Sequence, residues 1–367
     1  MIRLAFDGTP LLGPRSGVGE VVNGLAPELA RRPELEIVAY AVTLRGRHDL
    51  AAHLPAGVRA ATRTFPARAV RQAWLRAEHP QIERWTGPVD VVHATNYVAP
   101  PTKAREVVSV YDLGFVRSPE LVADDALDYP ELLRRAIRRG AWIHTTSDFV
   151  RDEIIATFPI APERVVRVYP GVPETERGDA ARGRALAGTE RYVLAIGTIE
   201  PRKNFPMLVR AFDAIASDDP EVALVIAGTR GWGADEFDTA LAAARHRGRV
   251  HAPGYVSADD RRDLLAGASV LAYPSRYEGF GFPPLEAMAA GVPVVATRAG
   301  AVPEVVGGAA RLVASDDADV FADAVHTVLT DDGVRHDLVT RGNLRHDAFS
   351  WRSAAAELLA LYEATQS

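Results

Sequence analysis

The sequence predicts an α/β chain of two domains, each a doubly wound parallel sheet with helices on both faces. Three observations predict it. The chain has 367 residues, too many for one ordinary core and comfortable for two. Short runs rich in Val, Ile and Leu alternate with longer helical patterns, and strands so continuously apolar belong in sheets covered on both faces. The alternation runs through twice, on either side of a stretch that lacks it.

In the first half the strand candidates are "IRLAFD", "LEIVAYAV", "VDVVHA", "EVVSVYD" and "AWIHTTS". In the second they are "RYVLAIG", "EVALVIAG", "RVHAPGYV", "SVLAYPS" and "VPVVATRAG". Helices such as "NFPMLVRAFDAIA" and "SADDRRDLLAGA" separate them, the latter with Ser257 as its N-cap. Between the halves, "GVPETERGDAARGRALAGTE" loses the apolar pattern and collects Gly, Pro and charge, which reads as a linker over 173–190 between domains at 1–172 and 191–348. The last stretch, 349–367, is an amphipathic helix whose Trp351, Leu358, Leu359 and Tyr362 need a surface to cover.

Composition excludes several classes. There is no cysteine, so neither disulfides nor thiolate metal sites are available. The N-terminus "MIRLAFDG" has no basic-apolar-small signal pattern, and no apolar run approaches the roughly 20 residues that cross a bilayer. A cytoplasmic enzyme is expected, with peripheral contact at the inner membrane face left open. Up to Val172 there are 22 Lys and Arg against 20 Asp and Glu, and beyond it 20 against 28, an asymmetry too mild for a nucleic-acid protein.

The most informative stretch is "EGFGFPPLE", Glu278 to Glu286, just after the apolar run "SVLAYPS". Gly279 and Gly281 weaken a helix there, and Pro283 and Pro284 fit only at or before its first turn. The reading is strand, tight loop, helix, with Glu278 on the loop and Glu286 in the first turn of "PLEAMAAG". Both acids then project toward the carboxyl end of a parallel sheet, where ligands of open α/β sheets bind. "GTIEPRKNF" follows strand "RYVLAIG" directly, so Gly197 opens a loop and Arg202 and Lys203 stand at a helix start. Exposed N–H groups, a positive helix terminus and two cations suit a diphosphate. "PGYV" places Tyr255 and Val256 at another strand end, where backbone groups could meet a base.

In the first half, Gly17 and Gly19 of "GPRSGVGEVV" would let backbone approach a diphosphate or acceptor closely, although the spacing is not the dinucleotide fingerprint. "VVHATNY" sets His93 and Asn96 at a strand end, and "TTSDF" sets Ser147 at another. A satisfied histidine lining the wall is the alternative for His93.

Together these stretches resemble the retaining nucleotide-sugar glycosyltransferases of family four, over essentially the whole chain. The strongest match is the pair of glutamates separated by seven residues, Glu278 and Glu286 within "EGFGFPPLEAMAAGVPVVAT"; the pair Arg202 and Lys203 is the second. The resemblance implies the GT-B fold: two Rossmann-like domains facing a central cleft, an acceptor-binding domain at 1–172, a donor-binding domain at 191–348, and a last helix returning to the first. It implies that Glu278 contacts donor-sugar hydroxyls, Glu286 the ribose, and Arg202 and Lys203 the diphosphate. The turn Gly279, Phe280, Gly281, Phe282 would then frame the donor, with the N–H groups of Gly281, Phe282 and Leu285 open to phosphate oxygens. The acceptor, a carbohydrate or lipid-linked glycan, would meet His93, Asn96 and Ser147.

One position departs from the family. At "VVSVYDLGF" many relatives carry histidine before the aspartate, whereas here Tyr111 precedes Asp112. Tyrosine donates a hydrogen bond but is neutral near pH 7, so it supplies no imidazolium. Asp112 is expected either to bind an acceptor hydroxyl or to order its loop through backbone N–H groups.

No cofactor is expected beyond the nucleotide sugar as co-substrate, and no metal. Asp317 to Asp319 form an Asp-x-Asp triplet, but at a helix start the dipole accounts for them. Arg134, Arg135, Arg138 and Arg139 are expected to form a solvated helix face, the alternative being contact with anionic lipid or a phosphorylated acceptor. The function expected is transfer of a hexose with retention, mannose from GDP-mannose in the first instance. A UDP- or ADP-sugar transferase, a sugar-nucleotide epimerase, a phosphorylase and a non-catalytic sugar-nucleotide sensor are the alternatives.

Overall fold

The structure, a computed structural model, describes residues 1–12, 17–43, 49–61, 67–117, 124–172, 178–314 and 316–366. It divides into two compact units, Met1–Gly171 with Phe349–Ser367, and Val172–Ala348.

The first unit is built on seven parallel strands: β1 (Ile2–Asp7), β2 (Leu35–Tyr40), β3 (Arg59–Ala60), β4 (Val91–Ala94), β5 (Arg105–Val110), β6 (Trp142–Thr145) and β7 (Val165–Arg167). Their order in the sheet is β3-β2-β1-β4-β5-β6-β7, which reverses between β1 and β4. The five strands expected from the sequence are the five long ones. The other two, β3 and β7, are edge strands of two and three residues, too short to show a pattern.

The C-terminal helix Trp351–Ala364 belongs to this unit. Ser350 caps it, accepting from Ser353 N at 3.1 Å. The Trp351 indole sits over Gly24 and Gly171, where any Cβ would run into it. Leu358 and Tyr362 are fully buried, so the apolar stripe has its surface.

The second unit holds β8 (Arg191–Ile196), β9 (Val222–Ala227), β10 (Val250–Gly254), β11 (Val270–Tyr273), β12 (Val294–Thr297) and β13 (Arg311–Val313). The order is β10-β9-β8-β11-β12-β13, all parallel, reversing between β8 and β11. Helix Phe205–Asp218 lays Phe205, Leu208 and Phe212 against Leu224 and Ile226 of β9 to make the core. The strand missed here is again a short edge, β13.

The stretch expected to be a linker contains a helix, Ala180–Ala187, capped by Asp179. It packs on helix Ala258–Gly267 through small residues: Gly183 abuts the Asp263 backbone, and Asp263 Oδ1 accepts from Asp179 N at 2.7 Å. A contact face of glycine and alanine carries no apolar periodicity, which is why the sequence pattern passed over it. Ser257 caps the partner helix as expected, accepting from Asp260 N at 3.1 Å.

No helix among the described residues is long and apolar enough to cross a membrane. The arginines of helix Tyr129–Arg139 are largely engaged: Arg139 with Glu106 at 2.7 Å, Arg135 with Glu78 at 2.5 Å, and Arg138 with Glu131 at 2.9 Å.

Candidate functional site

In the second unit three loops meet at the carboxyl ends of β8, β11 and β12, the first two flanking the reversal of strand order. Such a switch point is where a crevice opens in a doubly wound sheet. The loop after β8 makes a 3-10 turn, Pro201–Lys203, before Asn204 starts the helix Phe205–Asp218. Arg202 and Lys203 thus precede the helix by one residue rather than standing in it. Their heads turn toward β11, where Lys203 Nζ lies 2.6 Å from Glu278 Oε1 and Arg202 Nη1 lies 2.6 Å from Glu278 Oε2.

Glu278 is buried, 6% exposed, so each carboxylate oxygen has exchanged water for a cation. Burial would raise its carboxyl, but Arg202 and Lys203 hold it down to about 2. The backbone is fixed as firmly: Ala301 N donates to Glu278 O at 2.8 Å, Arg202 Nη1 to Tyr277 O at 3.0 Å, and Arg276 N to Arg202 O at 2.8 Å. Gly300, at φ +56°, lies against the Glu278 backbone, where a side chain would collide with its carbonyl.

The helix after the motif runs Phe282–Ala289, with Gly281 at φ +110° as its N-cap and prolines in its first turn. It begins two residues earlier than the sequence suggested, and two expectations shift with it. Glu286 falls in the second turn. Leu285 is the position whose N–H enters the helical ladder toward Gly281, leaving Gly281 and Phe282 outside it, since Pro283 and Pro284 have no N–H. Phe280 and Phe282 pack edge to face, with centroids 5.1 Å apart, beside Gly279. Glu286 pairs with Arg261, whose Nε lies 3.1 Å from Oε2.

The structure therefore brings together Gly197, Arg202, Lys203, Glu278, Gly281 and Phe282. Tyr255 and Val256 follow the edge strand β10, two places from β8. Glu200, Tyr273 and Arg261 were not anticipated. Glu200 Oε1 accepts from Arg202 Nη2 at 2.7 Å, and the Tyr273 hydroxyl lies 3.3 Å from Lys203 Nζ. The charge of Glu200, two residues before Arg202, was the available signal; Tyr273 read only as strand core.

In the first unit the expectations fare differently. His93 is fully buried, with Nδ1 2.7 Å from Tyr362 Oη and Nε2 2.8 Å from Ser109 Oγ, which in turn lies 2.8 Å from His144 Nδ1. Burial pushes both imidazoles down, His144 to about 4. Ser147 is also fully buried and caps helix Asp148–Thr157, accepting from Val150 N at 3.2 Å. Neither reaches solvent, so their assignment to an acceptor is corrected: both serve packing and capping. The Tyr111 hydroxyl donates to Thr95 O at 2.8 Å, and burial pushes it up. Asp112 Oδ1 accepts from Gly114 N at 2.9 Å, the loop-ordering alternative. Asn96 is half-buried and lines a small cavity. Gly17 and Gly19 open helix Gly17–Ala30, while 13–16 of the same loop lie outside the described residues. Asp317 caps helix Ala318–Thr330, accepting from Asp319 N at 2.8 Å.

Comparison with known proteins follows the division into units. The family model described as "Glycosyltransferase Family 4" matches residues 15–176, and that described as "Glycosyl transferases group 1" matches 177–345. The O-antigen chain mannosyltransferase B of Escherichia coli is 30% identical over 302 residues, 80% of this chain and 77% of that protein. A D-inositol 3-phosphate glycosyltransferase of Kribbella flavida is 30% identical over 317 residues, 79% of this chain and 74% of its own. Among solved structures, Anabaena HepE in complex with UDP and glucose aligns with a TM-score of 0.76 at 17% identity, covering 99% of this chain and 100% of that one. At that identity the likeness speaks for the GT-B fold alone.

Proposed function

Because the chain belongs to the glycosyltransferases of group 1 and family 4, we propose that it transfers mannose from GDP-mannose to a hydroxyl of a carbohydrate or lipid-linked glycan, with retention. The observation that carries the donor side is Glu278 held between Arg202 and Lys203 at the switch point of the second sheet, with Glu286 eight residues on. In this reading the two cations meet the diphosphate and stabilise the charge that develops on it as the glycosidic bond breaks, the largest kind of catalytic term. Glu278 orients sugar hydroxyls, Glu286 the ribose, and the N–H groups of Gly281 and Phe282 add donors to phosphate oxygens. Tyr255 and Val256 border the base.

Glu278 is a poor nucleophile and a poor base, since a carboxyl held at about 2 by two cations yields neither an electron pair nor proton affinity readily. A front-face route fits better: the acceptor oxygen bonds to the anomeric carbon as its bond to the diphosphate oxygen breaks, and that oxygen takes the acceptor proton. No divalent metal is required, because Arg202 and Lys203 provide the positive charge.

Mannose rests on the likeness to the Escherichia coli mannosyltransferase. A second reading, another hexose passed to an inositol phosphate, is favoured by the Kribbella relative. A panel of GDP-mannose, UDP-glucose and ADP-glucose, scored by nucleotide release with and without acceptor, separates them. GDP-mannose should be consumed fastest, and release of an epimer without acceptor would replace the transferase reading.

A further inference from the structure

We propose that the segment 178–183 sets the position of Glu286 from the far side of helix Ala258–Gly267, with Asp263 and Arg261 as the positioning residues between them; this rests on the reading that a nucleoside diphosphate binds at Glu286. Helix Ala258–Gly267 follows Val256 directly, with Ser257 as its cap. Arg261 and Asp263 are two residues apart on it, about 200° around the axis, so they project from opposite faces. Arg261 reaches Glu286, and Asp263 reaches Asp179 and Arg182.

On the first of these faces, Glu286 stands in the second turn of helix Phe282–Ala289. Arg261 donates to it twice, from Nε at 3.1 Å and from Nη2, and both bonds end on Oε2. Oε1 has no hydrogen-bond partner among the described residues and is the oxygen left for a ligand hydroxyl. Its direction is set by Arg261, and Arg261 is placed only as well as the helix that carries it.

That helix has little apolar grip of its own. Of its ten residues, Asp263, Leu264 and Leu265 are the buried ones. The rest of its hold on the opposite face is polar. Asp263 Oδ1 accepts from Asp179 N at 2.7 Å, Oδ2 accepts from Arg182 Nη1, and Arg182 Nη2 donates to Asp260, one turn earlier on the same face. Gly178 and Gly183 lie flush against the helix backbone, where a Cβ would strike the carbonyls of Arg262 and Asp263. With no side chain between them, the segment cannot shift without moving the helix.

Apolar side chains would cover this face without burying a carboxylate, and Asp263 is 7% exposed. What the ionic clamp adds is one rotation and register of the helix, and so one placement of Arg261 on its other side. The clamped segment is also the one by which the chain, having left the first unit at Gly171, joins the second. Coupling of this kind is reciprocal. A nucleotide that fixes Glu286 should therefore steady helix Ala180–Ala187 in turn.

The test is calorimetric titration of wild type with GDP, UDP and ADP, the one bound best being carried through Asp263→Asn, Arg182→Gln, Glu286→Ala and each of the first two combined with the third. Asp263→Asn and Arg182→Gln should each weaken the nucleotide about threefold, the scale of coupling through packed neighbours, and should weaken it no further where Glu286 is already alanine. Hydrogen exchange over 180–187 should slow in wild type saturated with nucleotide and not in saturated Arg261→Ala. A role in stability alone would lower the folding midpoint and leave the affinity of the folded protein unchanged, so wild-type affinity in both single variants overturns the positioning. The same threefold loss with and without Glu286 overturns it too, as does exchange over 180–187 that nucleotide leaves unaltered; should Asp263→Asn fail to fold, Arg182→Gln decides. Wild type that binds none of the three nucleotides is a different result: it removes the donor reading, and this inference with it.

Discussion

The carboxylate of Glu278 and the ammonium of Lys203 are 2.6 Å apart, and both residues are buried. Removing Glu278 leaves the buried Lys203 ammonium without its carboxylate, which costs far more than the pair contributes, whereas removing Lys203 leaves Glu278 with Arg202. The acid therefore holds the cation in place while no diphosphate is near. When one arrives, the same contacts give the donor sugar and its leaving group a common anchor.

Glu278→Gln should cut turnover about tenfold or more, the worth of one charge-assisted bond at ~1.5–3 kcal/mol, because its amide sets a donor against Arg202. A stability signature accompanies it. The folded carboxyl sits at about 2, below its unfolded value of ~4.3, so its contribution is present above pH ~4.3 and is lost as pH falls toward 2. Acid titration of unfolding should show that limb in wild type and lack it in the variant. Turnover equal to wild type would remove Glu278 from the reaction.

How far this was legible in the sequence differs between the two halves. The glutamate motif and the Arg-Lys pair were legible because a tight turn leaves prolines and glycines as punctuation, and because charges after apolar strands are conspicuous. Glu278 facing both cations was not, since no local pattern says which loops of a sheet meet; that follows from the order β8-β11. In the first half His93 and Ser147 looked like ligands because they are polar residues at strand ends, yet the fold uses both inside. The Ala180–Ala187 helix escaped because its contact face is glycine and alanine.

Glu286→Ala should weaken binding of free GDP about tenfold or more, since ribose is common to donor and product and one bond to a carboxylate is worth ~1.5–3 kcal/mol. Arg261→Ala, which keeps the carboxylate and removes the group that aligns it, should weaken GDP less. Calorimetric titration distinguishes them; equal affinity in wild type and Glu286→Ala ends the ribose assignment.

The chain His144, Ser109, His93, Tyr362 ties the C-terminal helix to the first sheet by neutral imidazoles. A histidine depressed to about 4, against ~6.5 unfolded, contributes stability that is complete above pH ~6.5 and disappears as pH falls through 4. Two and a half pH units correspond to ~3 kcal/mol for a fully buried group. Thermal unfolding of wild type should therefore lose midpoint between pH 6.5 and 4, and His144→Gln should flatten that slope. An unchanged slope would show that the titration lies elsewhere.

Asp7 has the opposite sign. Burial pushes its carboxyl up to about 6, against ~3.9 unfolded, with the Thr9 bonds holding it back. Its stabilising contribution is complete below pH ~4 and is lost as pH rises through 6. Asp7→Asn should raise the thermal midpoint at pH 8 by a few degrees, from ~1–3 kcal/mol, and leave it unchanged at pH 4. A variant stabilised equally at both pH values would mean that packing, not ionisation, is responsible.

The last prediction is that the reaction proceeds without a divalent ion, its positive charge coming from Arg202 and Lys203. Lys203 lies within hydrogen-bond reach of Glu278 and Tyr273 and is 9% exposed, so it meets a ligand in a setting where one charge counts for more than in water. Lys203→Ala removes a charge-assisted bond worth ~1.5–3 kcal/mol, or roughly 10- to 150-fold in rate or donor affinity. It also leaves Glu278 with Arg202 as its remaining cation, so the folding midpoint of the variant is recorded beside its activity. Wild type in excess EDTA, by contrast, should keep nearly its full rate. An EDTA-inactivated wild type restored by magnesium or manganese would overturn the assignment, and so would a folded Lys203→Ala with full activity.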